Sequence, residues 1–600
     1  MSDSAARADA VAAASGADIH VGADTTVDVI VVGAGGSGAP LAARLSDDPG
    51  CRVLVLEAGP VPRTANEFPP ELLDAAGLRG ADPAHPDTWE HPALLTPSRP
   101  YALARGRILG GSTTINGAYF MRARRADHDD WVAAGLAEWS FEECLPFWRA
   151  LETDERYGDT ALHGGSGPMP VTRTVGADGG RAPEGAPIDS IIEAATVPAS
   201  PGPPAAPGSP TRPDARPAAG SLTHPETPAV ARRTHVDSRG RPQTITTSFA
   251  AACRALGFAV EADKNGDEAA GWGPLPMNVK GGIRWNTGLA YLVPLLGVRP
   301  NLEVRGGSEV RRVLFEGTRA VGVEYVDTHG SVGVARAERV VLAAGAIASP
   351  TILLRSGVGP AAQLHHHGIR LVADSPVGAS FSDHPQIALR WIPAESPVGT
   401  APSGTALESV LNAELDDGGD VELLPLMRPL DELLTGELSG DSALTMLVAL
   451  QNPESRGELR LSEDGPEHPP LLDYRSLGTA ADVERMRAAV RLVVAVLESA
   501  AFEAVSDGLA DLDRATIDDD GRLDAWIQAN LGTALHLCGT APMGPDGDER
   551  SVVDPHGRVR GVTGLHVADL SIIPAVPRRG PAATAVLVGE RVAAFLRAGS

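Results

Sequence analysis

The chain has 600 residues, 43% hydrophobic, 21% charged and only 4% aromatic, with 67 glycines and 50 prolines. This is the balance of an ordinary globular protein carrying some additional chain that packs into no core. The net charge of −26 argues against a phosphate backbone or an anionic lipid surface as partner, since both are bound through lysines and arginines. Cys51, Cys144, Cys253 and Cys538 stand far apart with no C-x-x-C pair, a pattern that suits a reducing cytoplasm and gives neither a disulfide framework nor a zinc ribbon. No run of about 18 apolar residues occurs, so no transmembrane segment is expected. Arg7 is the only base among the first twenty residues, so no secretory signal is expected either.

In chain order, residues 1–25 lack periodicity and are expected to form a disordered tail. Residues 27–32 (VDVIVV) read as a buried parallel strand ending at Gly33, residues 37–45 as a helix, and residues 52–56 as a second buried strand. Together they make one βαβ unit. Residues 173–235 differ: twelve prolines fall between Ala182 and Ala229, and too little apolar surface is present to offset the entropy of ordering them. A flexible Pro-rich insertion is expected there. Strands are expected at 302–304, 310–315, 321–326 and 339–343. A helix over 480–500 should start at a Thr479/Asp482 capping box and pack through Val483, Met486, Val490, Val493 and Leu497.

Gly33, Gly35, Gly36, Ser37 and Gly38 belong to a G-x-G-x-x-G turn between the first strand and the helix. Gly33 permits the tight turn, Gly35 lets the backbone approach a pyrophosphate, and Gly38 lets helix and strand pack closely. The helix N-terminus offers free N–H groups to the phosphates. Glu57, nineteen residues after Gly38, closes the second strand where a ribose would sit. The pattern predicts a dinucleotide and leaves NAD and FAD open.

Residues 106–116 (GRILGGSTTIN) and 345–350 (GAIASP, continuing TILLRSGVGP) resemble the two signatures of the glucose–methanol–choline (GMC) flavin oxidoreductases, in the family's order. The resemblance runs from about Val27 to Phe595. It implies an α/β, two-domain α+β architecture. A Rossmann-like FAD-binding domain would be built from 26–172, 236–360 and 531–600, and a discontinuous antiparallel-sheet substrate domain mainly from 361–530. It implies FAD as cofactor, with Gly110, Gly111, Ser112 and Asn116 against the flavin, Val310 at the adenine and Asp569 in the flavin-binding tail. Members with covalent flavin carry a histidine before this asparagine. Ile115 stands there instead, so the FAD is expected to be non-covalent.

His536, in HLCGTAPMG, resembles the family's histidine facing the flavin. An imidazole is well matched to take a hydroxyl proton near neutral pH while the carbon's hydrogen leaves as hydride. The family's second His or Asn falls on Gly580, which has no side chain. The expectation is that Gly580 widens the pocket for a bulky substrate, with Arg579 substituting or His536 acting alone. His384, in Ser382-Asp383-His384-Pro385, reads as structural support. No metal site is expected, because consecutive residues such as His365, His366 and His367 point in different directions on a helix.

HLCGTAPMG, RRGPAAT and SDHPQ further resemble the subgroup accompanying the actinobacterial mycofactocin system. That resemblance implies oxidation of an alcohol substrate, reduced mycofactocin, with electrons passed to a respiratory-chain component by a cytoplasmic protein that can sit peripherally at the inner face of the membrane. A choline-like or general alcohol dehydrogenase or oxidase, and a flavin-containing lyase without net redox turnover, stay open as alternatives.

Overall fold

The structure, a computed structural model, describes residues 26–173, 244–394, 404–415, 420–437 and 442–599. The expected tail and, apart from Arg173, the Pro-rich insertion lie outside the described residues.

The βαβ unit forms as its sequence requires: β1 (Thr26–Val32), α1 (Gly38–Leu45) and β2 (Val53–Leu56). Every side chain of β2 is buried, as the unbroken apolar run demands of a parallel strand covered on both faces. β1 pairs in parallel with β2 on one side and with Val332–Leu342 on the other. The sheet runs Leu302–Arg305, β2, β1, Val332–Leu342, Arg319–Asp327, Ser308–Glu316. Leu565–Val567 joins the last three residues of Val332–Leu342, beyond the point where the antiparallel hairpin leaves it. The C-terminal helix Ala582–Ala598 lies against α1, tied by an Arg44–Glu590 ion pair at 2.8 Å.

A second, antiparallel sheet runs Ser506–Leu509, Pro385–Pro393, Leu444–Leu450, Asp420–Pro425, Ser409–Glu414, Trp272–Pro274, with Leu531–Thr533 also on Pro385–Pro393. The expected two-part α/β architecture is therefore present. The second sheet also reaches outside 361–530, because its two flanking strands come from segments that the sequence grouped with the nucleotide domain. Helix Ala480–Leu497 starts on Thr479, whose side chain accepts from Asp482 N, while the Asp482 carboxylate accepts from Glu454 N and Ser455 N instead of closing the expected box. The helix buries Met486, Val490, Val493 and Leu497 as its periodicity predicts, with Val483 half-buried.

A buried ion network staples Arg122, Glu152, Asp154, His163, Arg173 and Asp263. His163 bridges Glu152 and Asp263, each at 2.8 Å, while Arg122 pairs with Glu152 and Arg173 with Asp154. Glu152, Asp154 and His163 bring their ligand atoms within 4.8 Å of one another, but the two guanidinium groups already supply the countercharge. Burial opposes the charge on His163, yet its carboxylate partners win and raise its pKa to about 10. Folding thus favours the protonated form. Its contribution is full below the unfolded value of 6.5 and is lost as pH rises through 10. We expect His163→Gln to destabilise the protein by about 3 kcal/mol near neutral pH. The gap in melting temperature between variant and wild type should close as the pH is raised through that window. A gap independent of pH would show that His163 acts through packing alone.

Candidate active site

The carboxyl ends of the parallel strands collect the nucleotide elements at one edge, where α/β sheets place their ligands. Gly33 follows β1 with φ +95°, and a Cβ there would meet Ala343 O at 2.7 Å. A Cβ on Gly38 would lie 2.0 Å from Gly33 O, so this glycine closes helix onto strand. Ser37 gives its hydroxyl to Ala585 O at 2.6 Å rather than capping α1. Gly36 packs between Ala585 and Thr113. Gly110 and Gly111 both have positive φ, and a Cβ on Gly111 would lie 2.9 Å from Gly35 Cα, so the first signature rests directly on the glycine turn. Ser112 Oγ accepts from Gly106 N, and Asn116 Oδ1 accepts from Ala118 N.

Glu57 is buried and accepts from Ala34 N and Gly59 N, both at 2.9 Å, which fixes the loops on either side of it. Burial pushes its pKa up. Ser308 N donates to Glu57 O, bringing the strand that carries Val310 alongside, and a bulge at Arg311 follows Val310. Asp569 accepts from Gly345 N, Ser349 Oγ and Ser571 N, locking the second signature to the tail. Its carboxylate serves protein groups here.

The cradle fits a dinucleotide. A Cβ on Gly35 would meet only Gly111 Cα at 3.7 Å, so the space above it is open. Among the described hydrogen bonds, the amides of Gly35, Gly36 and Ser37 have no protein acceptor. Nothing lies within 4 Å of a Cβ on Gly345, and the fully buried Asn286 beside Gly110 has an unpaired Nδ2. Ile115, packed against Gly80, offers no nucleophile for a covalent link.

His536 is carried to this cradle by its own segment: Gly539 N and Ala541 N donate to Leu570 O and Ser571 O, and Thr540 Oγ1 to Ala346 O. Residues 382 and 538 form an antiparallel bridge, which sets His384 beside His536. Asp383 Oδ1 accepts from both His384 N (2.7 Å) and His536 N (2.8 Å), and Tyr474 holds its other oxygen.

The ring contacts determine where the protons sit. His384 Nε2 faces Pro577 O at 2.9 Å, and a carbonyl can only accept, so this nitrogen carries hydrogen. Burial lowers the His384 pKa to about 3, so the ring is neutral and its Nδ1 is an acceptor. His536 Nδ1, 2.9 Å away, must then donate. His536 Nε2 is left with a free lone pair. Burial, reinforced by the Arg105 charge, holds the His536 pKa well below 6.5, so the lone pair stays unprotonated at neutral pH. His384 therefore does more than support the fold: it sets the tautomer of the base. His384→Ala should lower kcat roughly 10²-fold through loss of that orientation. Wild-type kcat in that variant would show that the tautomer needs no partner.

Gly580 does not widen the pocket. A Cβ on it would lie 2.2 Å from Tyr119 Oη, so the tyrosine fills the place. Tyr119 Oη stands 3.3 Å from His536 Nε2. Arg579 is fully buried and turns to Arg578 O (2.8 Å) and towards Glu261 (3.5 Å), so Tyr119 is the residue that meets the base. Sequence reasoning gave no role to Tyr119, three residues beyond the end of the first signature at Asn116, or to Asp383, which it named only as part of the His384 motif.

Two models of the family described as GMC oxidoreductase match the chain, the N-terminal one over residues 27–386 and the C-terminal one over 453–589. The chain belongs to the GMC oxidoreductases. It is a FAD-dependent enzyme acting on alcohol donors. It is 35% identical, over 95% of its length and 98% of the relative's, to an uncharacterized GMC-type oxidoreductase in the thcA 5′ region of Rhodococcus erythropolis. It is 30% identical to a 5-(hydroxymethyl)furfural oxidase of Methylovorus sp., over 95% and 98% of the two chains. Among solved structures, pyridoxine 4-oxidase from Mesorbium loti superposes with a TM-score of 0.76 at 26% identity, covering 96% of this chain and 99% of that one. No helix of the described residues is long and apolar enough to cross a membrane.

Proposed function

We propose that this GMC oxidoreductase oxidises the secondary alcohol of reduced mycofactocin to a carbonyl, with His536 as base. The observation that carries the chemistry is the unprotonated His536 Nε2, fixed by the Pro577–His384–His536 chain of hydrogen bonds. The protein takes the hydroxyl proton at that atom; bound FAD, held non-covalently, supplies the hydride acceptor. Gly33, Gly35, Gly36, Ser37 and Gly38 would hold its pyrophosphate, Glu57 its ribose and Val310 its adenine. Gly110, Gly111, Ser112, Asn116 and the 569 segment would line the flavin.

The substrate assignment rests on SDHPQ, HLCGTAPMG and RRGPAAT, the subgroup-like motifs. All three meet at the base: His384 bonds His536, and Gly580 packs on Tyr119, which contacts the same ring. Electrons would then pass to a respiratory-chain component from a cytoplasmic enzyme at the inner face of the membrane.

Anaerobic mixing of the oxidised holoenzyme with candidate alcohols tests this. Reduced mycofactocin should bleach the flavin, while choline and simple alcohols should not. Bleaching by choline or simple alcohols in preference would make it a general alcohol dehydrogenase or oxidase. No bleaching by any alcohol, together with substrate cleavage, would make it a lyase.

A further inference from the structure

Position 580 has no side chain, yet its neighbourhood is full. A Cβ on Gly580 would approach Tyr119 Oη, Cε2 and Cζ at 2.2, 2.3 and 2.5 Å. Gly580 is not among the positive-φ residues, so space rather than backbone conformation excludes a side chain there. The phenol ring enters the volume that a residue at 580 would use, and its hydroxyl arrives 3.3 Å from His536 Nε2. Burial raises the pKa of that hydroxyl well above 10, so it is a permanent donor.

The backbone supports the same pairing. Among the described residues, four non-glycine positions have positive φ, and two of them, Ala118 (57°) and Leu535 (64°), immediately precede Tyr119 and His536. Such conformations cost about 1–3 kcal/mol each and persist where the surroundings impose them, often at functional sites. Asn116 Oδ1 holds the first through Ala118 N, and Thr533 Oγ1 holds the second through Leu535 N.

We propose that Tyr119 is the second catalytic group of the site, donating a hydrogen bond to the substrate oxygen while His536 takes that oxygen's proton. An oxygen placed ~2.8 Å from both Oη and Nε2 satisfies the two groups at once. The O–H proton passes to Nε2, and Tyr119 keeps its own, stabilising the negative charge that grows on the oxygen as the bond to hydrogen breaks. The hydrogen and electron pair of the carbinol carbon go to the oxidant that FAD provides. This rests on His536 being the base.

The experiment is Tyr119→Phe in the full-length holoenzyme, with reduced mycofactocin or, failing it, whichever panel alcohol reduces the flavin fastest. Loss of the donor should lower kcat about 10²-fold with flavin content unchanged. The hydroxyl also stabilises the neutral form of His536, so its removal should raise the His536 pKa. The acid limb of kcat/KM should move to higher pH, and labelled-histidine NMR of the resting holoenzyme should show the same shift without any substrate. A merely structural tyrosine would leave both unmoved.

A second pair of variants tests the occupancy. Gly580→His alone should be inactive because the ring stands in its way, whereas Tyr119→Ala combined with Gly580→His should exceed either single variant. Unchanged kcat and an unmoved His536 titration in Tyr119→Phe, beside an inactive His536→Ala, would overturn the role of Tyr119 and leave the base intact. A fully active His536→Ala would overturn the reading on which the proposal stands. A double variant no better than Tyr119→Ala would also count against it.

Discussion

His536→Ala should lower the rate of alcohol oxidation by ~10²- to 10⁴-fold while the protein remains folded and yellow. The imidazole's side-chain contacts are His384 and Tyr119, and the backbone N–H that Asp383 anchors survives the substitution. The fold loses two hydrogen bonds and leaves His384 Nδ1 and Tyr119 Oη unpaired, a cost of ~1–3 kcal/mol for each. The chemical step loses its proton acceptor altogether. Anaerobic stopped-flow reduction of the flavin measures this step apart from reoxidation. The wild-type pH profile belongs to the same prediction. Because burial holds His536 well below 6.5, kcat/KM should be flat from neutral pH down to 6.5 and fall only in more acid solution. A limb at or above that value, or a variant reduced as fast as wild type, would remove His536 from the role of base.

The parts of this site that could be read in the sequence are those that local physics writes locally. A short β-branched run such as VDVIVV, bounded by a glycine turn, favours an interior parallel strand, and the glycines that follow are where a helix must start against that strand. The capping of helix Ala480–Leu497 is similarly contained within four residues. Long-range relations leave no such trace. Tyr119 and His536 are 417 residues apart, and nothing in either neighbourhood says that the ring of one reaches the other. The blank at Gly580 was legible, but its meaning was inverted: a missing side chain read alone suggests room, while in the fold it is the imprint of Tyr119. Asp383 illustrates the same limit. Its sequence neighbour His384 was visible as a motif member, but its bond to His536 N spans 153 residues and depends on the pairing of two short extended segments.

Two glycines of one fingerprint should fail in different ways, and the contrast separates cofactor binding from folding. Gly38→Ala places a methyl 2.0 Å from Gly33 O, a backbone atom at the end of a buried strand that cannot move aside cheaply. It should destabilise the protein by about 3 kcal/mol, the upper range for overpacking, whether or not FAD is present. In Gly35→Val the added Cβ meets only Gly111 Cα, at 3.7 Å, in the protein itself, and Gly35 is not among the positive-φ residues. The apoprotein should therefore melt close to wild-type apoprotein. What valine does obstruct is the approach of a pyrophosphate to the amides of residues 35–37, the interaction that a helix N-terminus offers an anion. Gly35→Val should purify without flavin absorbance and fail to take up added FAD, and the stabilisation that FAD gives the wild type should be absent. Melting curves of apo and FAD-supplemented samples of both variants provide the comparison. A Gly35→Val protein that binds FAD normally would move the pyrophosphate away from this turn. A Gly38→Ala protein as stable as wild type would mean that the first turn of α1 shifts without cost, and that the third glycine of the motif is not needed for packing.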